Sequence, residues 1–270
     1  MVEWRIYGCG SPSSSLSTQS SYEISDGDNR LHIDIGHGGL YRRCLREGSI
    51  EAAINAIKNI LITHSHPDHY FDLARLYVAW MYTPGFKPQN RVSLYATSDT
   101  MHEIKKVMIN ARLEGGFEQV FDTHIIDIDK PVKIDGFTVT AKTSHHIEGS
   151  NGVWVETPSG KNIGFTSDTG FNEDLLSIWK DIDLFITECC FVDLETPYHL
   201  HLGQVQEMAG KINPECLLLV HFYPDMERLP NEDILKAISQ KYKGTTYIGH
   251  DGLIVKWDTV NNKWITDKMF

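Results

Sequence analysis

The segment His64-Ser65-His66-Pro67-Asp68-His69 holds three histidines and an aspartate within six residues. It follows Asn59 to Thr63, an apolar run that predicts a buried β-strand. Packing does not account for so many hydrogen-bonding groups in one short loop, because each buried polar group needs a partner. Open sheets place their ligands at the carboxyl ends of strands. The segment therefore predicts a metal site and a fold that brings further ligands to this strand end.

Composition narrows the class of protein. The chain has 270 residues, of which 41% are hydrophobic and 23% charged, as in ordinary globular proteins. A formal charge of −11 argues against a broad nucleic-acid-binding surface, which requires clustered Lys and Arg. The five scattered cysteines fit neither a disulfide framework nor a zinc ribbon, and they predict a reducing, cytoplasmic setting. Neither a signal peptide nor a membrane-spanning segment is predicted, so we expect no membrane association.

Strand and helix signals predict an α/β protein. Asp26-Gly27-Asp28-Asn29 is typical of a β-hairpin turn, and β structure is expected to run from Thr123 to Ile134. A helix is predicted from Asn231 to Tyr242, and the closing β structure from Leu253 to Trp257. Hairpins in one part and strand–helix alternation in another indicate a mixed sheet with helices outside it. Because no linker or low-complexity tract divides the chain, we predict a single domain over residues 1–270.

Further metal ligands are available after other predicted strands. His145-His146 follows one strand, Asp168 another, and His221 ends the apolar run Leu217 to Val220. Neighbouring side chains of an extended segment point in opposite directions, so only one of His145 and His146 is expected to reach a shared metal. Each residue alone has an ordinary alternative, such as a turn for Asp168. Their recurrence at strand ends favours a common site.

The pattern resembles the metallo-β-lactamase superfamily of binuclear metallohydrolases, and within it the tRNase Z and phosphodiesterase branch. The resemblance covers nearly the whole chain. It rests on the Gly8-Cys9-Gly10-Ser11 loop, the Asp34-Ile35-Gly36 turn, His64 to His69, His146 six residues before Gly152, Asp168, Thr187-Glu188, His199 and His221-Phe222-Tyr223-Pro224. It implies an αββα four-layer sandwich in which two mixed β-sheets are flanked by helices.

The resemblance also implies a ligand set. One metal is expected to bind His64, His66 and His146, the other Asp68, His69 and His221, with Asp168 bridging the two. Two Zn²⁺ ions suit these nitrogen and oxygen donors, and Mn²⁺ or Fe²⁺ is an alternative. Cys189 and Cys190 are interpreted as small buried residues rather than ligands.

Three residues are expected to take part in catalysis, namely Asp68, Glu188 and His199. The resemblance implies that Glu188 and His199 form an acid–base pair in which the carboxylate orients the imidazole. Register within the following helix favours His199 over His201, which stays an alternative. Ser11 to Ser15 could donate to a phosphate, although a serine-rich loop is by default a solvated turn.

The expected reaction is hydrolysis by a water that two metal ions activate. The first choice is a phosphodiesterase resembling tRNase Z, acting on an RNA 3′ end or on a small or cyclic phosphodiester. No basic, Gly/Pro-rich tRNA-binding arm is evident between His69 and His145, which favours the smaller substrates. Hydrolysis of a lactone, thioester or sulfate ester is the alternative, with Tyr70, Trp80, Tyr82 and Tyr223 as candidate pocket residues. A non-hydrolytic metal-binding module is a third interpretation, and a homodimer is compatible with the sequence.

Overall fold

The computed structural model describes the backbone of residues 1–270 and every side chain except that of Glu114. Strands and helices alternate along the first half of the chain. They are β1 (Val2–Gly8), β2 (Ser21–Asp26), β3 (Asn29–Ile35), α1 (Gly39–Glu47), α2 (Ile50–Ala56), β4 (Asn59–Leu61), α3 (Pro67–Tyr70), α4 (Asp72–Tyr82), β5 (Val92–Ala96), α5 (Ser98–Asn110), α6 (Phe117–Val120), after a 3₁₀ turn at Glu114–Gly116, and β6 (Phe121–Ile125).

The second half opens with antiparallel strands and continues with strand–helix alternation. Its elements are β7 (Pro131–Ile134), β8 (Phe137–Thr143), β9 (Asn151–Glu156), β10 (Asn162–Phe165), α7 (Asp174–Ile178), β11 (Leu184–Glu188), α8 (Leu202–Ile212), β12 (Cys216–Val220), α9 (Pro224–Arg228), α10 (Asn231–Ile238), β13 (Thr245–Ile248), β14 (Leu253–Asp258) and β15 (Lys263–Lys268). Among the described residues, every helix is too short or too polar to cross a bilayer.

Two mixed sheets form from these strands in the described backbone. Sheet 1 has eight strands in the order β15-β14-β1-β2-β3-β4-β5-β6, and sheet 2 has seven in the order β13-β12-β11-β10-β9-β8-β7. In sheet 1 the pairs from β3 to β6 are parallel, and in sheet 2 the pairs from β10 to β13 are parallel. Each sheet therefore has a parallel half whose carboxyl ends can hold a site.

Three apolar layers hold the sandwich together. The layer between the sheets contains the packed rings of Trp4, Tyr22 and Phe165, with Trp4 and Tyr22 completely buried. A second layer joins sheet 1 to α1, α2, α4, α5 and α6, and a third joins sheet 2 to α7, α8, α9 and α10. Inward and outward side chains alternate along the strands, which is the physical basis of the layering. The predicted αββα arrangement with two mixed sheets is confirmed.

Three local predictions differ from the structure. The β structure expected from Thr123 to Ile134 is two strands, because Asp129 has a left-handed backbone (φ 59°) that ends the extended run. The helix expected to reach Tyr242 ends at Ile238, although Ile238 and Tyr242 keep helical spacing and are both buried. The edge strand β15 was not predicted, because its outward residues are mostly polar; Asn262 (φ 51°) in the preceding turn is the hairpin signal that could have revealed it. The predicted hairpin between β2 and β3 is confirmed, with Gly27 at φ 62°.

Candidate metal centre

The predicted ligands meet in two groups where loops from both sheets converge. Group A contains His64, His66, His146 and Asp168, and group B contains Asp68, His69, Asp168 and His221. Within each group, one donor atom per residue lies within 4.8 Å of every other. The structure thus brings together all seven residues that the sequence proposed as ligands. His145 lies outside both groups and makes backbone hydrogen bonds to the loop that carries Asp168.

The carboxylate of Asp168 belongs to both groups and faces each with a different oxygen. Oδ2 lies 3.7 Å from His64 Nε2 and 3.8 Å from His146 Nε2. Oδ1 lies 3.4 Å from His69 Nε2 and 3.5 Å from His221 Nε2. Asp68 Oδ2 completes group B at 3.2 Å from His221 Nε2. The spacing of most of these atoms exceeds that of a hydrogen bond but suits atoms that surround a cation.

Hydrogen bonds to the far ring nitrogens orient three of the imidazoles. His69 Nδ1 donates to Asp34 Oδ2 over 2.7 Å, and His146 Nδ1 donates to the carbonyl oxygen of Tyr198 over 3.0 Å. His64 Nδ1 lies 3.2 Å from Thr63 Oγ1, whose own proton goes to Asp34. Each contact places a proton on Nδ1 and leaves Nε2 as the nitrogen that faces the group.

Asp34 lies beneath the two groups and accepts several hydrogen bonds. Its fully buried carboxylate accepts from the Thr63 backbone N–H at 2.8 Å, from the Thr63 hydroxyl at 2.9 Å and from His69. Thr63 Oγ1 in turn accepts from Ser167 Oγ at 2.7 Å, and the Thr63 carbonyl accepts from Asn151 Nδ2 at 2.7 Å. Because Thr63 follows β4 of sheet 1 while Asn151 begins β9 and Ser167 follows β10 of sheet 2, this network joins the two sheets directly under groups A and B.

Close backbone approach explains one of the glycines in the sequence motifs. A Cβ at Gly36 would overlap the carbonyl oxygen of Asp68, so the turn after Asp34 can pass under the histidine loop only without a side chain. Asp34 itself has a left-handed backbone at φ 58°. A second left-handed residue, His221 (φ 59°), donates its backbone N–H to the Cys9 carbonyl oxygen at 2.7 Å, which turns its side chain into group B. This contact is the role that the structure gives to the Gly8-Cys9-Gly10 loop.

The two groups differ in electrostatic character. Burial, reinforced by the charge of His69, lowers the pKa of His64 well below its usual value, and burial also lowers the pKa values of His66 and His146. Group A therefore presents neutral imidazoles, which is the form that binds metals. Burial opposes a charge on His69, but the carboxylates of Asp168, Asp34 and Asp68 outweigh it and raise the pKa of His69. Group B is thus rich in negative charge and favours a cation.

Two ring nitrogens of the groups have no hydrogen-bond partner in the described residues. They are His64 Nε2 and His69 Nε2, and both are buried. His66 Nδ1 lies 2.8 Å from His146 Nε2, and because His146 carries its proton on the opposite nitrogen, His66 donates this hydrogen bond. A buried nitrogen without a partner is costly unless a cation lies beside it. These residues could hold metal ions, and their nitrogen and oxygen donors suit Zn²⁺, Mn²⁺ or Fe²⁺.

An acid–base pair lies next to the groups. His199 Nδ1 is 3.0 Å from Glu188 Oε2, and the other Glu188 oxygen accepts from the Thr169 backbone N–H. Burial opposes the charge on His199, but Glu188 outweighs it and raises the pKa of His199 to about 9. The imidazole is therefore protonated at neutral pH, with Nε2 as the nitrogen that remains to donate.

His201, the alternative to His199, has a structural position. Its ring nitrogen Nδ1 accepts a hydrogen bond from the Gly203 backbone N–H at 3.1 Å. The backbone N–H of His201 donates to Gln204 Oε1 at 3.1 Å. The two bonds form a capping box at the start of α8. The structure therefore places His199, and not His201, beside Glu188.

A cavity of about 280 Å³ opens onto both groups. It is lined by Pro12, Gln19, His66, Pro67, Asp68, Asp168, His199 and Tyr223. Of the aromatic residues proposed for a pocket, Tyr223 lines this cavity, whereas Tyr70 is buried and Tyr82 is 64% exposed. In the serine-rich loop, Ser14 and Ser15 bond to Glu227. Such a cavity can hold a small anionic group beside the candidate ligands.

Sequence reasoning missed two residues that the structure places in the site. Asp34 was recognised as part of a turn, but its bonds to Thr63 and His69 span 29 and 35 residues and leave no local signal. Cys190 was interpreted as a small buried residue. It is fully buried, yet its sulfur also contacts Glu188, His199 and His221.

The chain is similar to a known protein family and to known sequences. A family model described as "Anti-Pycsar protein Apyc1" matches residues 2–243. The uncharacterized protein Rv1339 of Mycobacterium tuberculosis is 27% identical over 226 residues, which cover 80% of this chain and 77% of that protein. The range matched by the family model runs from β1 to α10 and contains the positions of groups A and B.

Solved structures show the same fold. The metallo-β-lactamase fold protein YhfI from Bacillus subtilis superposes with a TM-score of 0.80 at 18% identity, covering 94% of this chain and 98% of that one. The short form of human tRNase Z gives a TM-score of 0.68 at 18% identity, covering 94% and 98%. The chain therefore has the metallo-β-lactamase fold.

Metal binding by these groups can be tested through stability. We expect Zn²⁺ or Mn²⁺, added to chelator-treated protein at about 100 times its dissociation constant, to stabilise the fold by about 2.7 kcal/mol and to raise Tm by roughly 5–10 °C. His146→Ala should remove much of this shift, because it deletes a donor of group A. His145→Ala is the matched control and should keep the shift. Equal shifts in the two variants would show that His146 is not a ligand.

Proposed function

Because the chain belongs to the Anti-Pycsar protein Apyc1 family, whose model matches residues 2–243, and has the metallo-β-lactamase fold, we propose that it is a two-metal hydrolase of phosphodiester bonds. The observation that carries this proposal is the shared carboxylate of Asp168, which faces group A with one oxygen and group B with the other. Such sharing is what a binuclear centre requires of a bridging ligand.

The proposed ligands divide as the groups do. His64, His66 and His146 would hold one ion, Asp68, His69 and His221 would hold the other, and Asp168 would serve both. When bound, two divalent ions lower the pKa of a water and offset the charge that develops on phosphoryl oxygens. Zn²⁺ is our first choice, because imidazole and carboxylate donors suit it, and Mn²⁺ or Fe²⁺ fits the same donors.

The remaining groups of the cavity handle protons. Burial opposes ionisation of Asp68, but His69 and His221 outweigh it and keep the pKa of Asp68 below its usual value. Asp68 is therefore an ionised acceptor that lines the cavity and can take a proton from a water there. On the other side His199, held protonated by Glu188, can donate from Nε2 to the departing oxygen. An acceptor and a donor on the same cavity suit hydrolysis of an ester with a poor leaving group.

Surface charge and cavity size favour small phosphodiesters, including cyclic ones, over long RNA. The net charge of −11 opposes a polyanion, whose binding depends on many Lys and Arg contacts. Between His69 and His145 the chain forms the helices and strands from α4 to β8. These elements belong to the layers of the sandwich rather than to a separate tRNA-binding arm. The 280 Å³ cavity suits a compact substrate. The similarity of fold to human tRNase Z keeps an RNA 3′ end as the second candidate substrate.

A substrate panel tests the proposed function. We expect metal-loaded protein to hydrolyse bis-p-nitrophenyl phosphate and cyclic nucleotides, and to act weakly on p-nitrophenyl acetate, lactones and sulfate esters. Asp168→Ala should lower turnover by more than about 100-fold, beyond the loss typical of residues that only support ligands. Cleavage of a tRNA precursor in preference to the small diesters would favour the RNA substrate. Activity on lactones, thioesters or sulfates without any on phosphodiesters would overturn the proposal.

The role of His199 can be tested through the leaving group. A general acid matters most when the departing oxygen is basic, so His199→Ala should lower kcat by about 10²–10⁴-fold on a diester with an alkoxide leaving group. The same variant should lose much less on bis-p-nitrophenyl phosphate, because p-nitrophenolate leaves without protonation.

His201→Ala is the matched control for this experiment. It removes a helix cap and should cost about 0.5–2 kcal/mol of stability, while leaving kcat on both diesters near the unmodified value. Equal losses on the two diesters in His199→Ala would contradict a role as general acid.

A further inference from the structure

The thiol of Cys190 contacts both the acid–base pair of Glu188 and His199 and the group B residue His221. Its Sγ lies 2.6 Å from Glu188 Oε2 and 3.4 Å from His199 Nδ1, on the side of the acid–base pair. It also lies 3.3 Å from His221 Nδ1, on the side of group B. The residue is completely buried, so water cannot replace these contacts.

The directions of these hydrogen bonds follow from the neighbours. His221 turns Nε2 toward Asp68 and Asp168, so a ring that binds a metal there carries its proton on Nδ1. That N–H donates a hydrogen bond to Cys190 Sγ, and the thiol S–H donates a hydrogen bond to Glu188 Oε2. Glu188 Oε2 also accepts from His199 Nδ1–H. The result is one chain of bonds from His221 through Cys190 and Glu188 to His199.

We propose that Cys190 is a positioning residue that fixes the orientation of His221 in group B and, through Glu188, of the proton donor His199. This inference rests on the proposed function. It couples a metal ligand to the acid–base pair through a single side chain that accepts from one and donates to the other. Metal-binding histidines usually donate a hydrogen bond from their second ring N–H to a carboxylate, a carbonyl oxygen or water. Here the acceptor is a thiol.

Cys189 supplies an internal comparison. It is the preceding residue and equally buried, but its side chain packs in the apolar layer between sheet 2 and its helices, with Leu200 and Met226. Two adjacent thiols thus lie in different surroundings, one apolar and one within the hydrogen-bond chain. When each cysteine is replaced by the same residue, the comparison separates the effect of losing the hydrogen bonds of Cys190 from the effect of losing buried side-chain volume.

The first test measures metal binding without substrate. Competition with a chromophoric chelator should show that Cys190→Ala weakens one of the two Zn²⁺ ions, the one at group B, by about 10–100-fold, as is typical when a group that supports a ligand is removed. Cys190→Ser should restore most of the affinity, because a hydroxyl also accepts and donates. Cys189→Ala should bind both ions as tightly as the unmodified protein. Since no turnover is measured, this test stands even if the phosphodiesterase assignment fails.

The second test measures the link to His199. On a diester with an alkoxide leaving group and at saturating metal, Cys190→Ala should lower kcat by about 10-fold or more with little change in KM. In a His199→Ala background the same substitution should have a much smaller effect, because the group that it positions is gone. Cys190→Ser should again recover most of kcat.

Three results would overturn the proposal. One is a Cys190→Ala protein with unchanged metal affinity and unchanged kcat, and another is a serine variant no better than the alanine variant. The third is a thiolate-to-metal charge-transfer band in the Co²⁺-loaded protein that disappears in Cys190→Ser, because it would make Cys190 a ligand instead of a hydrogen-bonding support. We expect no such band, and circular dichroism melts of the metal-free variants should confirm that each is folded.

Discussion

The site depends first on the buried carboxylate of Asp34. It accepts three hydrogen bonds, from the Thr63 backbone N–H, the Thr63 hydroxyl and His69 Nδ1–H, and through Thr63 it is linked to Asn151 at the start of β9 and to Ser167 just after β10. Burial raises the pKa of Asp34, and the charge of His69 with these hydrogen bonds opposes that shift. A carboxylate so deep in the fold is tolerated because its oxygens are well supplied with donors. The same hydrogen bonds connect the two sheets beneath groups A and B.

Most of the proposed ligands lie at the ends of strands. The histidine loop follows β4 in the parallel half of sheet 1, and in the parallel half of sheet 2 Asp168 follows β10, Glu188 ends β11 and His221 follows β12. His146 lies in the loop between the antiparallel strands β8 and β9. Because the sheets face each other, these ends converge, and aromatic rings pack in the apolar layer between the sheets. A rigid scaffold matters, since a bridging carboxylate must serve two groups at once.

Local signals predicted an α/β protein and several candidate ligands, whereas the four-layer arrangement and the choice of His146 followed from the resemblance to the metallo-β-lactamase superfamily. A polar loop after an apolar strand is visible in the chain, and His64 to His69, Asp168 and His221 each have that context. Local signals also misplaced the end of α10, since the spacing of Ile238 and Tyr242 is helical. Asp34 and Cys190 act through bonds to residues distant in sequence or through an unusual donor, and neither leaves a periodic pattern. Their roles required three-dimensional contacts.

The most direct test of a two-metal centre is anomalous diffraction from crystals of the zinc-loaded protein, with data collected on both sides of the zinc edge. We expect two peaks per chain on opposite sides of Asp168, one among His64, His66 and His146 and the other among Asp68, His69 and His221. A single peak, or a peak among Glu188, Cys190 and His199 with group B empty, would contradict it.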